Sequence, residues 1–295
     1  MKILRIQSGT KKIFNQISTT ILFVFISLFT YSQPRPLTFL PDKSIATAII
    51  TDPNESQSMI SFNSLSKNKI IDYDMYVPFA FGFSKAIVQW GKNEIGGDCS
   101  AQTQFGWRKE DNIYMHGYRK SLLNIDYQVG LIYTRIITKE IQIKTRLFHR
   151  SSHLGDDYVL LNSVKPTGYW MNDPSNFEQL NITYIQKIKY LTTYATAGYV
   201  LRNKNRKPLM LEAGAFASDF RPKEKSNLFL GFDIKALENN NFNPSLKCMA
   251  GFKVKRRKPI YFVLEYYNGH LPYSRYESSL IVQWFGAGIY LDSVL

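Results

Sequence analysis

Residues 141–157 read I-Q-I-K-T-R-L-F-H-R-S-S-H-L-G-D-D, and the fold turns on their pattern. Ile141, Ile143, Thr145 and Leu147 alternate with Gln142, Lys144 and Arg146. A period of two belongs to a β-strand with one apolar and one charged face. The same parity carries His149, Ser151 and His153 onto the apolar side. A hydroxyl between two imidazoles, continuing a greasy stripe, has two readings. Either the stripe ends there in a polar rim, or a reactive group stands at the edge of an apolar medium.

Outward from this stretch the same period recurs almost to the C-terminus. Strand segments are predicted at about 57–66, 75–91, 98–107, 121–136, 139–151, 179–190, 191–202, 208–218, 227–237, 244–255, 260–269 and 279–291. Most have roughly the nine to eleven residues that a tilted strand needs to cross a membrane. Leu123, Ile125, Tyr127, Val129 and Leu131 oppose Asn124, Asp126 and Gln128; Leu228, Leu230, Phe232 and Ile234 oppose Asp233 and Lys235. Lone charges in mid-strand, such as Glu212 and Glu265, suit an enclosed wet interior better than a sandwich core. Links near 137–139, 190–191, 220–226 and 256–259 are tight, whereas 108–120, 152–178, 203–207, 238–243 and 270–278 are longer or more polar. Short turns on one rim and long loops on the other mark an outer-membrane barrel. The expected fold is therefore all-β, a closed antiparallel transmembrane β-barrel of about twelve strands spanning residues 57–295. Closure leaves no edge strand and satisfies the backbone within lipid.

The N-terminus sets the compartment. Lys2, Arg5, Lys11 and Lys12 precede the apolar run Ile21–Phe29, and small residues follow at Thr30 and Ser32. This is a secretory signal over residues 1–32 with cleavage before Gln33. The run falls well short of the roughly 20 residues of a spanning helix. Residues 33–56 hold four prolines and no sustained period, and read as an extended periplasmic arm. Cys99 and Cys248 stand far apart, so no disulfide framework holds the protein together. The 295 residues are 44% hydrophobic and 15% aromatic, which with a mean hydropathy of only −0.22 favours many amphipathic strands over a continuous apolar core. The net charge is +14, and a basic surface can meet nucleic acid, anionic lipid or lipopolysaccharide. The only dense basic run is K-V-K-R-R-K (253–258) at a proline turn, so nucleic acid is not expected as a partner. The expected partners are outer-membrane lipid, lipopolysaccharide and the barrel-assembly machinery.

H-R-S-S-H-L-G-D-D (149–157) resembles the signature H-x-S-S-H-L-G-D-[DE] of a bacterial family of outer-membrane proteins defined by a domain of unknown function. T-D-P-N-E (51–55), L-L-N-I-D-Y-Q-V-G-L (122–131) and L-N-I-T-Y (180–184) resemble its flanking segments, extending the likeness over roughly residues 40–200. The resemblance implies a barrel in the outer membrane of a Gram-negative bacterium and brings no catalytic residue with it. A more distant likeness is to outer-membrane phospholipases and lipid A deacylases, which carry H-x-S at a lipid-facing strand end and an orienting Asn or Glu on the next strand.

His149 and Ser151 have that spacing, and strand residues two apart share a face about 6–7 Å apart. An imidazole at that distance can reach the hydroxyl and act as its base. On the next strand Leu180, Ile182 and Tyr184 place even positions outward, which nominates Glu178 as the orienting acid and turns Asn181 into the lumen. Ser152, His153 and Asp156 are the alternates. No cofactor is implied, although Asp156 and Asp157 could bind a divalent cation of unidentified kind. His149 and His153 lie about 13 Å apart on an extended strand, too far for one zinc ion unless the chain bends at Gly155. Two functions stay open: a barrel without chemistry, serving envelope integrity or small-solute passage, and a lipid-facing acyl esterase. Lysines and arginines turned inward are expected to pair with Asp126, Glu212, Asp233 and Glu265 in a plugged interior. Tyr169, Trp170, Tyr273, Tyr276 and Trp284 are expected in the interfacial girdle, and His116 and His270 in exposed loops.

Overall fold

The alternating segments close into a wall. In the computed structural model, which describes residues 36–66, 73–112, 115–161, 176–202, 206–221, 223–256, 258–272 and 280–292, a two-residue strand β1 (Thr38–Phe39) precedes twelve long ones. These are β2 (Ser58–Leu65), β3 (Met75–Trp90), β4 (Asn93–Asn112), β5 (Met115–Ile136), β6 (Ile141–Leu154) and β7 (Phe177–Ile188). Then come β8 (Leu191–Arg202), β9 (Leu209–Ala217), β10 (Ser226–Leu237), β11 (Pro244–Val254), β12 (Ile260–His270) and β13 (Ile281–Leu291). Each pairs antiparallel with its neighbour in sequence, and β13 returns to β2 with Leu291 opposite Ser58. The result is the closed twelve-stranded barrel that the sequence pattern predicts. The signal segment 1–32 lies outside the described residues.

Parity sorts the wall. Phe81, Leu131, Leu147, Leu211, Leu264 and Phe285 are exposed on the outside, while Gln104, Asp126, Lys144, Arg146, Asp233 and Glu265 are buried inside. Apolar side chains facing hydrocarbon and charges facing one another is the arrangement in which neither set lacks partners. Cys99 and Cys248 are free thiols on β4 and β11, which are not neighbours. Intact mass should therefore be unchanged by reductant, and the denatured protein should take up two maleimides without prior reduction. A mass falling by two hydrogens relative to the reduced chain would contradict this strand order.

Three features differ from the sequence reading. The first is the segment expected as an extended arm. β1 pairs with the end of β3, the chain then leaves the wall, and Thr47–Asp52 and Glu55–Gln57 are buried inside the barrel before β2 begins. Glu94 accepts hydrogen bonds from Ser44 Oγ and from the Ile45 amide, and Gln142 ties down Ile45 and Thr47. Higher up, Lys144 pairs with Glu55 at 3.0 Å and Lys235 with Asp52 at 3.0 Å. The approach is close: a Cβ at Gly231 would meet Thr51 Cγ2 at 2.5 Å, and one at Gly82 would meet the Gln57 nitrogen at 3.0 Å. Aperiodic sequence packs here by hydrogen bonds and ion pairs to the lumen wall, which leaves no two- or 3.6-residue trace.

Secondly, β4 and β5 run on through most of the expected loop 108–120, as a hairpin paired out to Asn112 and Met115. Outside lipid neither face needs to be apolar, so the alternation that reveals a strand is lost. Thirdly, Trp284 points inward, stacked on Tyr267 with ring centroids 4.1 Å apart, and is no girdle residue. His270 likewise ends β12 as a buried residue and His116 lies in β5; Tyr169, Trp170, Tyr273 and Tyr276 fall outside the described residues.

The interior is thus layered. Near the short-turn rim Ile49, Ile50, Ile185, Phe229, Met249 and Tyr261 form an apolar layer around the plug. An ionic layer follows, with Arg146–Asp98 at 2.6 Å, Lys235–Glu212 at 3.2 Å and Lys247–Glu265 at 3.9 Å. Tyr76, Leu123, Tyr267 and Trp284 form a further cluster. Three cavities among these groups hold no more than about 20 Å³ each.

Candidate functional site

β6 positions the site because its two faces have opposite needs. Arg150 and Ser152 are drawn inward by Asp126 on β5. Arg150 Nε donates to Asp126 Oδ2 at 3.0 Å, Nη2 donates to the same oxygen, and Ser152 Oγ donates to Oδ1. Asn124 Nδ2 adds a bond to Oδ1 at 2.6 Å, leaving Asp126 wholly buried and fully satisfied. With Arg150 and Ser152 fixed inside, the pleat turns His149, Ser151 and His153 outward.

Glu178 is the β7 residue directly opposite His149, and its Oε1 lies 3.2 Å from His149 Nδ1. The two side chains are 36% and 45% exposed, so the pair sits on the outer wall, not in a crevice. Outward Val129, Leu147 and Tyr127 surround it: Val129 opposes His149, and Tyr127 opposes Ser151. Ile141 to His149 is eight steps along β6, roughly 20 Å of axial height at ~3.3 Å per residue and ~40° tilt. A lipid-facing band about 25 Å tall would end near that level, counted from the short-turn rim.

Ser151 Oγ lies 2.9 Å from Nε2 of His153, not against His149. The His153 ring packs edge-on to Tyr127, with centroids 6.2 Å apart. Pairing between β6 and β7 ends at Arg150–Phe177, so Ser151 stands beyond the last β7 partner, with a side of its strand unpaired by β7. Of the alternates, Ser152 faces the lumen, and its amide donates to Asn176 Oδ1 at 3.0 Å. Asp156 is exposed at the start of α1 (Asp156–Leu161), and Asp157 Oδ2 accepts the Leu122 amide at 3.2 Å. Among the described residues no group of three or more His, Cys, Asp or Glu side chains is arranged to hold a metal ion.

The structure thus brings His149 to Glu178 and Ser151 to His153, and sets Ser152 apart from both. Sequence reasoning missed the buried clamp of Asp126, Asn124 and Arg150 behind the site. The signal was present: these residues have inward parity on two adjacent strands and complementary charge.

No curated protein matches the sequence. Solved structures do. Outer membrane phospholipase A from Escherichia coli superposes with a TM-score of 0.53 at 12% identity, covering 86% of this chain and 95% of that one. The calcium-bound dimer of the Salmonella typhi outer membrane phospholipase gives 0.53 at 10% identity, with the same coverage. An active-site Asn→Ala variant of the Escherichia coli enzyme gives 0.52 at 12%, again covering 86% and 95%. At such identity the likeness is one of fold, that of a Gram-negative outer-membrane barrel. Matched by a family model over residues 40–290, the chain belongs to the family described as Protein of unknown function (DUF1207).

Proposed function

We propose that this barrel is a lipid-facing serine acyl hydrolase, with Ser151 as nucleophile, His149 as its base and Glu178 orienting the imidazole. The observation that carries the reading is the His149–Glu178 pair, 3.2 Å apart on the outer wall, with Ser151 two residues along the same face. A carboxylate at Nδ1 fixes the tautomer that leaves Nε2 free to accept a proton, and stabilises the imidazolium that follows. Ser151 Oγ would attack the carbonyl carbon of an acyl ester as its proton passes to His149 Nε2. The proton then goes to the departing alkoxide, leaving an acyl-serine that water hydrolyses. Rotation about χ1 carries Oγ from His153 towards His149, and catalytic hydrogen bonds often close only with substrate bound. An ester placed at the top of an apolar band would come from phospholipid or lipid A. The fold it shares with two phospholipases supports the same reading.

In this reading residues 1–32 are cleaved on export, the short-turn rim faces the periplasm, and the wall meets lipopolysaccharide after insertion by the barrel-assembly machinery. The filled lumen speaks against solute passage. A purely structural envelope role is the second reading, favoured by the Ser151–His153 contact, which turns the hydroxyl away from the oriented histidine. Detergent-purified protein is expected to release fatty acid from phospholipid or lipid A in mixed micelles, and the Ser151→Ala protein is not. Equal release by both proteins, or none from either, removes the hydrolase reading.

A further inference from the structure

A cavity of about 1430 Å³ opens at the short-turn rim, on the opposite end of the wall from Ser151. It is lined by seven basic side chains against three carboxylates, Asp42, Asp219 and Asp292. The bases converge from separate elements: Lys43 from the plug segment, Lys187 and Lys189 from the end of β7 and its turn, Arg256 and Lys258 from the β11–β12 turn. Among the described residues, the side chains of these five make no ion pair or hydrogen bond. Lys253 is held by Asp219 at 2.7 Å, and Lys255 also reaches Asp219, at 3.2 Å. Burial pushes the Asp219 carboxyl up, but hydrogen bonds from Lys253 and Lys255 outweigh it and keep it below the usual carboxylate range. That carboxylate is already shared, which leaves five cations facing Asp42 and Asp292, a net excess of positive charge.

The cavity is also lined by Ala48, Phe216 and Tyr261, which belong to the apolar layer around the plug. Its lining includes no residue of the opposite rim among the described residues. Cations gathered around a recess concentrate anions from solution. We infer that this vestibule binds a soluble, multiply phosphorylated anion. Compact phosphate groups each carry close to two negative charges, enough for a few of them to balance five lysine and arginine heads. Lysine, a compact point charge, is a common phosphate partner.

The test uses the full-length protein in detergent, with inorganic tripolyphosphate as the probe and binding read by calorimetry at low salt. One saturable site is expected, weakened more than roughly tenfold when Lys187 and Lys189 are both changed to glutamine. The control pair Arg108→Gln/Lys109→Gln, on the protruding part of β4, should bind as the parent does. Unheated gel mobility verifies that each variant keeps its barrel. An equal loss from the control pair would reduce the effect to diffuse charge and overturn the site. So would tighter binding of a glutamate-rich peptide, or binding only to vesicles of anionic phospholipid and not to the soluble probe.

Discussion

Asp126→Ala is expected to destabilise the barrel by about 3–5 kcal/mol, because it breaks a buried ion pair by removing one partner. Arg150 is 3% exposed and Asp126 is fully buried; their contact is bidentate at Oδ2, and Ser152 and Asn124 occupy Oδ1. Removing the carboxylate takes two charge-assisted hydrogen bonds from the guanidinium, which keeps its bond to the Pro272 carbonyl at 3.1 Å. It also takes one acceptor each from Ser152 and Asn124. The pair itself need not be stabilising: Asp126→Leu/Arg150→Met, which removes both charges, is expected to come within about 1 kcal/mol of the parent or exceed it. Urea unfolding followed by tryptophan fluorescence measures both. If the single substitution costs no more than the double, Arg150 has found water or another anion, and the clamp is not what orders this end of β6. The clamp also matters for the outer face. It fixes Arg150 and Ser152 inward, and a one-residue slip would turn His149 and Ser151 into the lumen.

The wall was legible from sequence because lipid imposes a strict rule on it. Ile125 to Leu131 and Ile141 to Leu147 must alternate where one face meets hydrocarbon and the other an enclosed interior, and the observed strands follow that period. Leu123, expected on the outer face with them, is buried inside because the β4–β5 register shifts there, Gln104 pairing with Asn124 and Phe105 with Leu122. The rule lapses outside lipid, which is why Arg108–Asn112 carried no strand signal. It lapses inside as well. Ile49 and Ile50, followed by Asp52 and Glu55, are buried by contacts with strands that lie tens of residues away in sequence, and no local period reports such contacts. β13 shows a third limit. Apolar residues occupy both of its faces, so Trp284 reads equally as girdle or as interior; only the stacking on Tyr267 distinguishes them. At the site, parity on two strands was enough to nominate Glu178 for His149, because register follows from parity once the strands pair. Which imidazole holds Ser151 was not legible. His149 and His153 are symmetric about it in sequence, and side-chain rotation decides between them.

That symmetry makes the histidines the sharpest test of the proposed chemistry. If His149 is the base, His149→Ala should lower kcat/KM for acyl-ester hydrolysis by about 10³–10⁴-fold, close to the loss in Ser151→Ala, since residues acting as a unit fail together. Glu178→Gln preserves the shape of the pair but can present an amide N–H to Nδ1, selecting the wrong tautomer. It should cost up to ~10⁴-fold, as loss of a triad carboxylate does. His153→Ala removes the competitor for the Ser151 hydroxyl, 2.9 Å away at rest, and should leave the rate within about threefold of the parent or raise it. The opposite pattern, with His153→Ala inactive and His149→Ala nearly as active as the parent, would transfer the base to His153 and leave the His149–Glu178 pair a surface contact. Exposed pairs of that kind contribute about 0–1 kcal/mol to stability, so unfolding curves for Glu178→Gln should stay close to the parent while its turnover collapses. A Glu178→Gln protein that loses stability and turnover together would instead place Glu178 among the residues that merely hold β6 to β7.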